Sequence, residues 1–167
     1  MTRRALVWLL MVIASAAHCA GWPTQTHLSG NAFLPPGLIA LQDDTVNGPI
    51  ALWLDKGSAL WRDDSTGISC QSCHGTLQSM RGAAPGFPKL SAQGNTLLNL
   101  EDQILQCRAR TGQPGSKLED DEVLALSAVL HRAAQGQAIA AQAPAQHAAQ
   151  WQAQLSRGAQ LFTTRMG

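Results

Sequence analysis

Cys70-Gln71-Ser72-Cys73-His74 is the stretch on which the reading of this chain turns. In a protein exported to an oxidising compartment, two thiols three residues apart followed at once by an imidazole form the attachment pattern of a c-type haem. Each thiol can add to one vinyl group of the same porphyrin, and the imidazole is then held under the iron as its proximal ligand. The motif therefore predicts one covalent haem c on Cys70 and Cys73, with His74 on the iron. Ile68-Ser69 makes a short apolar approach to it, and Gly75-Thr76 a turn away from it. Two plainer readings compete. A thioredoxin-like redox pair sits at a strand-to-helix turn within a βαβ pattern, and no strand run precedes Cys70. A structural zinc site needs a second ligand pair at short spacing, and a single further cysteine, Cys107, follows.

Upstream of the motif, Pro49 is expected to open a helix after Asn47-Gly48, since proline suits the first helical position. Ile50, Leu54, Gly57 and Trp61 then share one face at helical spacing. A glycine inside that face costs helix stability, which makes sense where another helix approaches closely. The helix ends near Asp63-Asp64. Downstream, residues 81–94 read as loop, with Pro85, Phe87 and Pro88 along the haem edge. Asn99 caps the next helix, and Asp102 completes a weak capping box. Leu100, Ile104 and Cys107 fall on one face, while Arg108 and Arg110 point elsewhere. Ser116 with Glu119 is a second capping box, and Asp120, Asp121 and Glu122 complement the dipole of the helix that follows. Its stripe is Val123, Leu126, Ser127 and Leu130, expected to cross the first helix near Gly57, and Gly136 ends it. The pattern predicts an all-α, class I cytochrome c-like domain over residues 49–136.

The distal iron ligand stays open on spacing alone. Met80 is an available thioether, but it lies six residues past His74, a short link to carry around the haem plane, so it reads as packing. His27 reads as a solvated or capping histidine, and His131 as a helix-terminal one. Cys107 is the odd thiol left once Cys70 and Cys73 are consumed. It is a buried structural thiol, a partner in an intermolecular disulfide, or a thiolate on the iron.

Residues 1–20 read as a secretory signal peptide, with Arg3-Arg4, an apolar run from Ala5 to Ile13 and small residues at Ala14-Ser15-Ala16-Ala17. The run is too short to span a bilayer, and His18 before Cys19 argues against lipidation. The expected location is the bacterial periplasm. Without Arg3 and Arg4, ten of the twelve basic residues remain against eleven acidic ones. That balance carries no footprint for nucleic acid and no polybasic membrane patch. Residues 21–48, broken at Pro35-Pro36-Gly37, read as an extended arm with a short helical turn near Leu38–Gln42. Residues 137–154 are an Ala/Gln-rich linker. Arg157-Gly158-Ala159-Gln160-Leu161-Phe162 then echoes Lys56-Gly57-Ser58-Ala59-Leu60-Trp61. Residues 155–167 accordingly read as the first helix of a second cytochrome domain whose haem motif would fall beyond Gly167.

These residues together resemble the A subunit of the periplasmic sulfur-oxidising cytochrome complex, SoxAX. The resemblance rests on Asn47-Gly48-Pro49, Leu52-Trp53, Gly57–Trp61, Ser69–Gly75, Ser79–Ala83, the block Leu105-Gln106-Cys107-Arg108, and the restart at Arg157. It implies that Cys107 is the distal ligand opposite His74. It implies pairing with a small cytochrome of the SoxX type, and a complex acting as an L-cysteine S-thiosulfotransferase. That complex joins thiosulfate to a cysteine of the carrier SoxYZ and passes electrons to c-type cytochromes. In the family the catalytic haem and cysteine belong to the second domain, so this chain is expected to carry the first haem without turnover. Two other readings are a free-standing mono-haem electron carrier, which calls for a Met or His distal ligand, and a non-catalytic haem domain serving as an assembly module.

Overall fold

The computed structural model describes residues 30–113, 117–141 and 143–164. The expected signal peptide, His27, Ser116 and the last three residues of the restart lie outside them. Its contacts divide the chain into two units, one reaching to Ile39 and the other starting at Ala40. In the first, a 3-10 turn at Gly30–Phe33 leads to helix α1 (Pro36–Asp43), which continues into the second unit. The arm thus contains a helix of two turns where the sequence suggests one.

The second unit is built from helices. Asp44 braces its first turn, its Oδ1 accepting from the N–H of Val46 at 2.9 Å and of Asn47 at 2.8 Å. These bonds hold its carboxyl below the ordinary aspartate range. Helix α2 then runs Ala51–Arg62. It begins two residues later than proline placement predicts: Ile50 is the N-cap, and the Ala51 N–H is already committed to the Gly48 carbonyl at 3.0 Å. A one-turn helix, α3 (Cys70–His74), carries the haem motif. Between it and the next helix the chain is more ordered than the predicted loop. Two 3-10 turns (Leu77–Met80 and Ala84–Gly86) lead into an antiparallel ribbon of β1 (Lys89–Leu90) with β2 (Leu97–Leu98), Lys89 opposite Leu98 and Leu90 opposite Leu97. Two-residue strands are too short to show an alternating pattern. The ribbon is closed by Ser91, whose N–H donates to Thr96 O at 2.8 Å, and by Gly94 at φ +72°.

Helix α4 (Leu100–Arg110) starts with the expected capping box: Asn99 Oδ1 accepts from Asp102 N at 2.8 Å, and Asp102 Oδ2 from Asn99 N at 3.0 Å. Helix α5 (Asp121–Ala133) starts after Asp120, not at Ser116. Asp120 is the N-cap and braces the turn before it, accepting from Lys117 N at 2.7 Å, while Asp121 and Glu122 are the acidic residues of the first turn. Val123, Ala125, Leu126, Ser127, Val129 and Leu130 are buried along α5. Each large apolar side chain so buried contributes about 1.5–3 kcal/mol. The Ser127 hydroxyl donates to Glu101 Oε1, tying α5 to the start of α4. With Trp61, Leu100 and Ile104, the Val123, Leu126 and Leu130 side chains of this stripe form the core cluster.

The crossing of α2 and α5 takes place at Gly57, as the sequence predicts. A Cβ there would lie 2.1 Å from the Ala125 carbonyl oxygen and 2.7 Å from Val129 Cγ1. The last helix, α6 (Ala148–Thr163), runs without a break through the predicted boundary at 154/155. A Cβ added at its Gly158 would meet nothing within 4 Å, and Phe162 is 92% exposed. No helix among the described residues is long and apolar enough to cross a membrane.

Candidate haem-binding site

The one-turn helix α3 exists because its end groups are satisfied locally. Ser69 Oγ accepts from Ser72 N at 3.0 Å, and Ser72 Oγ donates back to Ser69 O at 2.7 Å. Gly75, at φ +74°, closes the other end, its N–H bound to Gln71 O at 2.8 Å. Helical geometry puts residues three and four apart on one face. Cys70, Cys73 and His74 are therefore presented together, which is what the C-x-x-C-H spacing achieves.

Two side chains anchor the turn that follows the histidine. Trp61, 4% exposed on α2, donates its indole N–H to Gly75 O at 2.9 Å. Its ring lies 6.1 Å from that of His74, tilted by 36°. Ser79 Oγ donates to His74 O at 2.8 Å. The backbone on both sides of the imidazole is thus held from the core and from the next turn.

A cavity of about 470 Å³ opens against this face. Cys70, Cys73 and His74 line it from α3, and Cys107 from α4. Trp61, Leu100, Ile104, Leu126 and Leu130 make it apolar, with Phe87 and Met80 at its wall. Cys107 reaches it because Leu100 and Ile104, on the same face of α4, are buried beneath it. Gln103 lies one turn before Cys107, and its Nε2–H donates to the Cys107 sulfur at 3.8 Å. Met80 packs against the core, as expected, and borders the same cavity. Of the three residues expected along the haem edge, Phe87 reaches the cavity lining, whereas Pro85 and Pro88 do not.

Sequence periodicity misplaces the two arginines. Arg108 and Arg110 line the cavity instead of pointing away from it. The Arg108 side chain is only 10% exposed and forms an ion pair with Glu122 of α5. A long side chain can reach round a helix to a partner that its Cα position does not suggest. Burial pushes the Cys70 thiol up from its ordinary range, partly opposed by the positive charge of Arg108.

Cys70, Cys73 and Cys107 are free thiols. The described residues contain no cluster of three or more His, Cys, Asp or Glu suited to holding a bare metal ion. A haem makes a different demand: an apolar pocket, two thiols for its edge and one or two axial donors. The cavity meets each of these. Its volume lies within the roughly 300–1,000 Å³ of cofactor pockets, its walls are largely apolar, and a thiol pair, an imidazole and a further sulfur border it.

The family model described as the SoxA/TsdA cytochrome c domain matches residues 56–139. An L-cysteine S-thiosulfotransferase subunit SoxA from Pseudaminobacter salicylatoxidans is 26% identical over 160 residues, covering 93% of this chain and 55% of that protein. Among solved structures, the crystal structure of SoxXA from P. pantotrophus superposes with a TM-score of 0.70 at 24% identity, over 83% of this chain and 52% of that one. The chain spans about half the length of these relatives, and the structural likeness is one of fold. The family match runs from Lys56 through the C-x-x-C-H turn, Cys107 and all of α5. This all-α chain therefore belongs to the SoxA/TsdA cytochrome c domain family.

Proposed function

We infer that this chain is a periplasmic, SoxA-type cytochrome subunit. It carries one haem c covalently on Cys70 and Cys73, with His74 and Cys107 as the iron ligands. The observation that carries the inference is that a single apolar cavity is bordered by both thiols of the motif, its histidine and the one other thiol among the described residues. Bound there, haem supplies a one-electron redox centre. The residues around it do the rest. Trp61 and Ser79 hold the backbone that carries the imidazole, and the apolar wall from α4 and α5 excludes water, while Arg108, paired with Glu122, and Lys89 complete the lining. A thiolate is a strong donor that favours ferric iron, so a His74/Cys107 centre would be a low-potential one.

The haem domain is assigned to residues 49–136, after a signal peptide (1–20) and an arm (21–48), with α6 leading from the linker toward a further cytochrome domain. The proposed setting is thiosulfate oxidation, with a SoxX-type small cytochrome as partner, SoxYZ as the carrier of the sulfur group and a c-type cytochrome as electron acceptor. The transferase chemistry is that for which the Pseudaminobacter salicylatoxidans relative is named; the role proposed for this chain is that of the haem-bearing module. A second reading, a free-standing carrier with His74 and Met80 on the iron, draws support from Met80 bordering the same cavity.

The test is attachment. Chain matured in a periplasm with haem-attachment machinery should keep its haem through acid–acetone extraction, and the double variant Cys70→Ala/Cys73→Ala should release it. Haem that stays on the double variant would sink the assignment.

A further inference from the structure

We propose that Gln103 is a positioning residue for the Cys107 sulfur, and that its amide sets how much charge that sulfur gives to the iron. The proposal rests on the reading of Cys107 as a ligand, and adds the group that tunes it. The Gln103 Nε2–H donates to Cys107 Sγ at 3.8 Å, and both side chains line the cavity. The two residues are i and i+4 on α4, which keeps them neighbours on one face however the loops around the cavity move. Helix α4 is itself fixed by the Asn99–Asp102 capping box and by the burial of Leu100 and Ile104, so the donor is held in place rather than recruited.

A thiol sulfur accepts hydrogen bonds weakly; a thiolate is an anion and accepts them better. Iron-bound thiolate keeps lone pairs that do not face the metal, so the amide bond survives ligation. A hydrogen bond to a ligating atom withdraws charge from it, and outer bonds of this kind adjust redox centres without touching the metal. Charge drawn from sulfur toward the amide weakens its donation, which destabilises ferric iron relative to ferrous. Gln103 therefore keeps the potential of the His74/Cys107 centre higher than the bare thiolate would.

The experiment is potentiometric titration and ferric electron paramagnetic resonance of the haem-loaded full chain and its Gln103→Leu, Gln103→Glu and Cys107→Met variants. Gln103 is only half-buried and leucine is a strong helix former, so Gln103→Leu preserves α4. It should lower the potential by about a tenfold shift in the ferric/ferrous balance, ~59 mV for one electron, and move the low-spin g-values. Gln103→Glu, which replaces the donor with a negative charge, should lower it further. If Cys107→Met changes the ferric spectrum while both Gln103 variants leave potential and g-values unchanged, the role of Gln103 is overturned and the ligand stands. If Cys107→Met leaves the ferric spectrum unchanged, the ligand reading itself fails, and the tuning role with it.

Discussion

Trp61 and Cys107 show how single residues are committed to the site. The Trp61 indole serves both core and cofactor turn, packing between α2 and α5 while its N–H holds Gly75 O, one residue past the histidine. Trp61→Phe keeps most of the apolar volume and removes the donor. It should cost about 1–3 kcal/mol, read as a lower urea midpoint at unchanged m-value; a midpoint equal to wild type would show the indole bond to be dispensable. With Cys107 as the proposed distal ligand, Cys107→Met exchanges a thiolate for a neutral thioether, a weaker donor. The variant should titrate at a higher potential and lose the thiolate absorption features. At this scale the sequence is highly legible where chemistry is local. The spacing of Cys70, Cys73 and His74 needs only one helical turn to be read, and Cys107 lies on the same face as Leu100 and Ile104. What escaped was long reach. Arg108 faces outward on the helical wheel, yet it lines the cavity and pairs with Glu122 on another helix. Gln103 was findable, since it sits one turn before Cys107, but nothing in the sequence says that an amide will face a sulfur.

Among elements, the informative comparison is between two helices with the same motif. Lys56–Trp61 on α2 and Arg157–Phe162 on α6 share a basic residue, a glycine, a leucine and an aromatic at matching positions. In α2 the glycine is pressed against the Ala125 carbonyl; in α6 it faces open space. Gly57→Ala must displace backbone, so destabilisation of about 1–3 kcal/mol or more is expected. Gly158→Ala meets no obstacle and should stabilise by roughly 0.5–1 kcal/mol through helix propensity. Thermal unfolding of the two variants should move in opposite directions; a shift of the same sign in both would remove the close approach as the reason for Gly57. The glycine in the first copy was readable as a crossing point because it interrupts an apolar stripe. Helix starts are less legible. Pro49 and Ser116 both have favourable cap chemistry, but the helices begin at Ala51 and Asp121. At the first, the turn closed by Asp44 and Gly48 takes precedence; at the second, Asp120 spends its carboxylate on Lys117 N, so the helix can open only after it.

At the scale of the molecule, the core and the candidate haem site are one structure. Trp61, Leu100, Ile104, Leu126 and Leu130 belong both to the packed cluster and to the cavity wall. Anything filling the cavity therefore extends the core, and haem loading should raise the stability of the entire domain by mass action as well as covalently. The fold class is legible because three helical stripes and one cofactor motif agree with one another. The short β1–β2 ribbon is not, since its two-residue strands leave no period to detect. The central claim is that His74 and Cys107 share one iron. The measurement that meets it most directly is the ferric electron paramagnetic resonance spectrum of the matured chain. A low-spin signal of thiolate type, lost in Cys107→Met, is the predicted result. A high-spin or His/Met-type signal that is indifferent to Cys107 would contradict it.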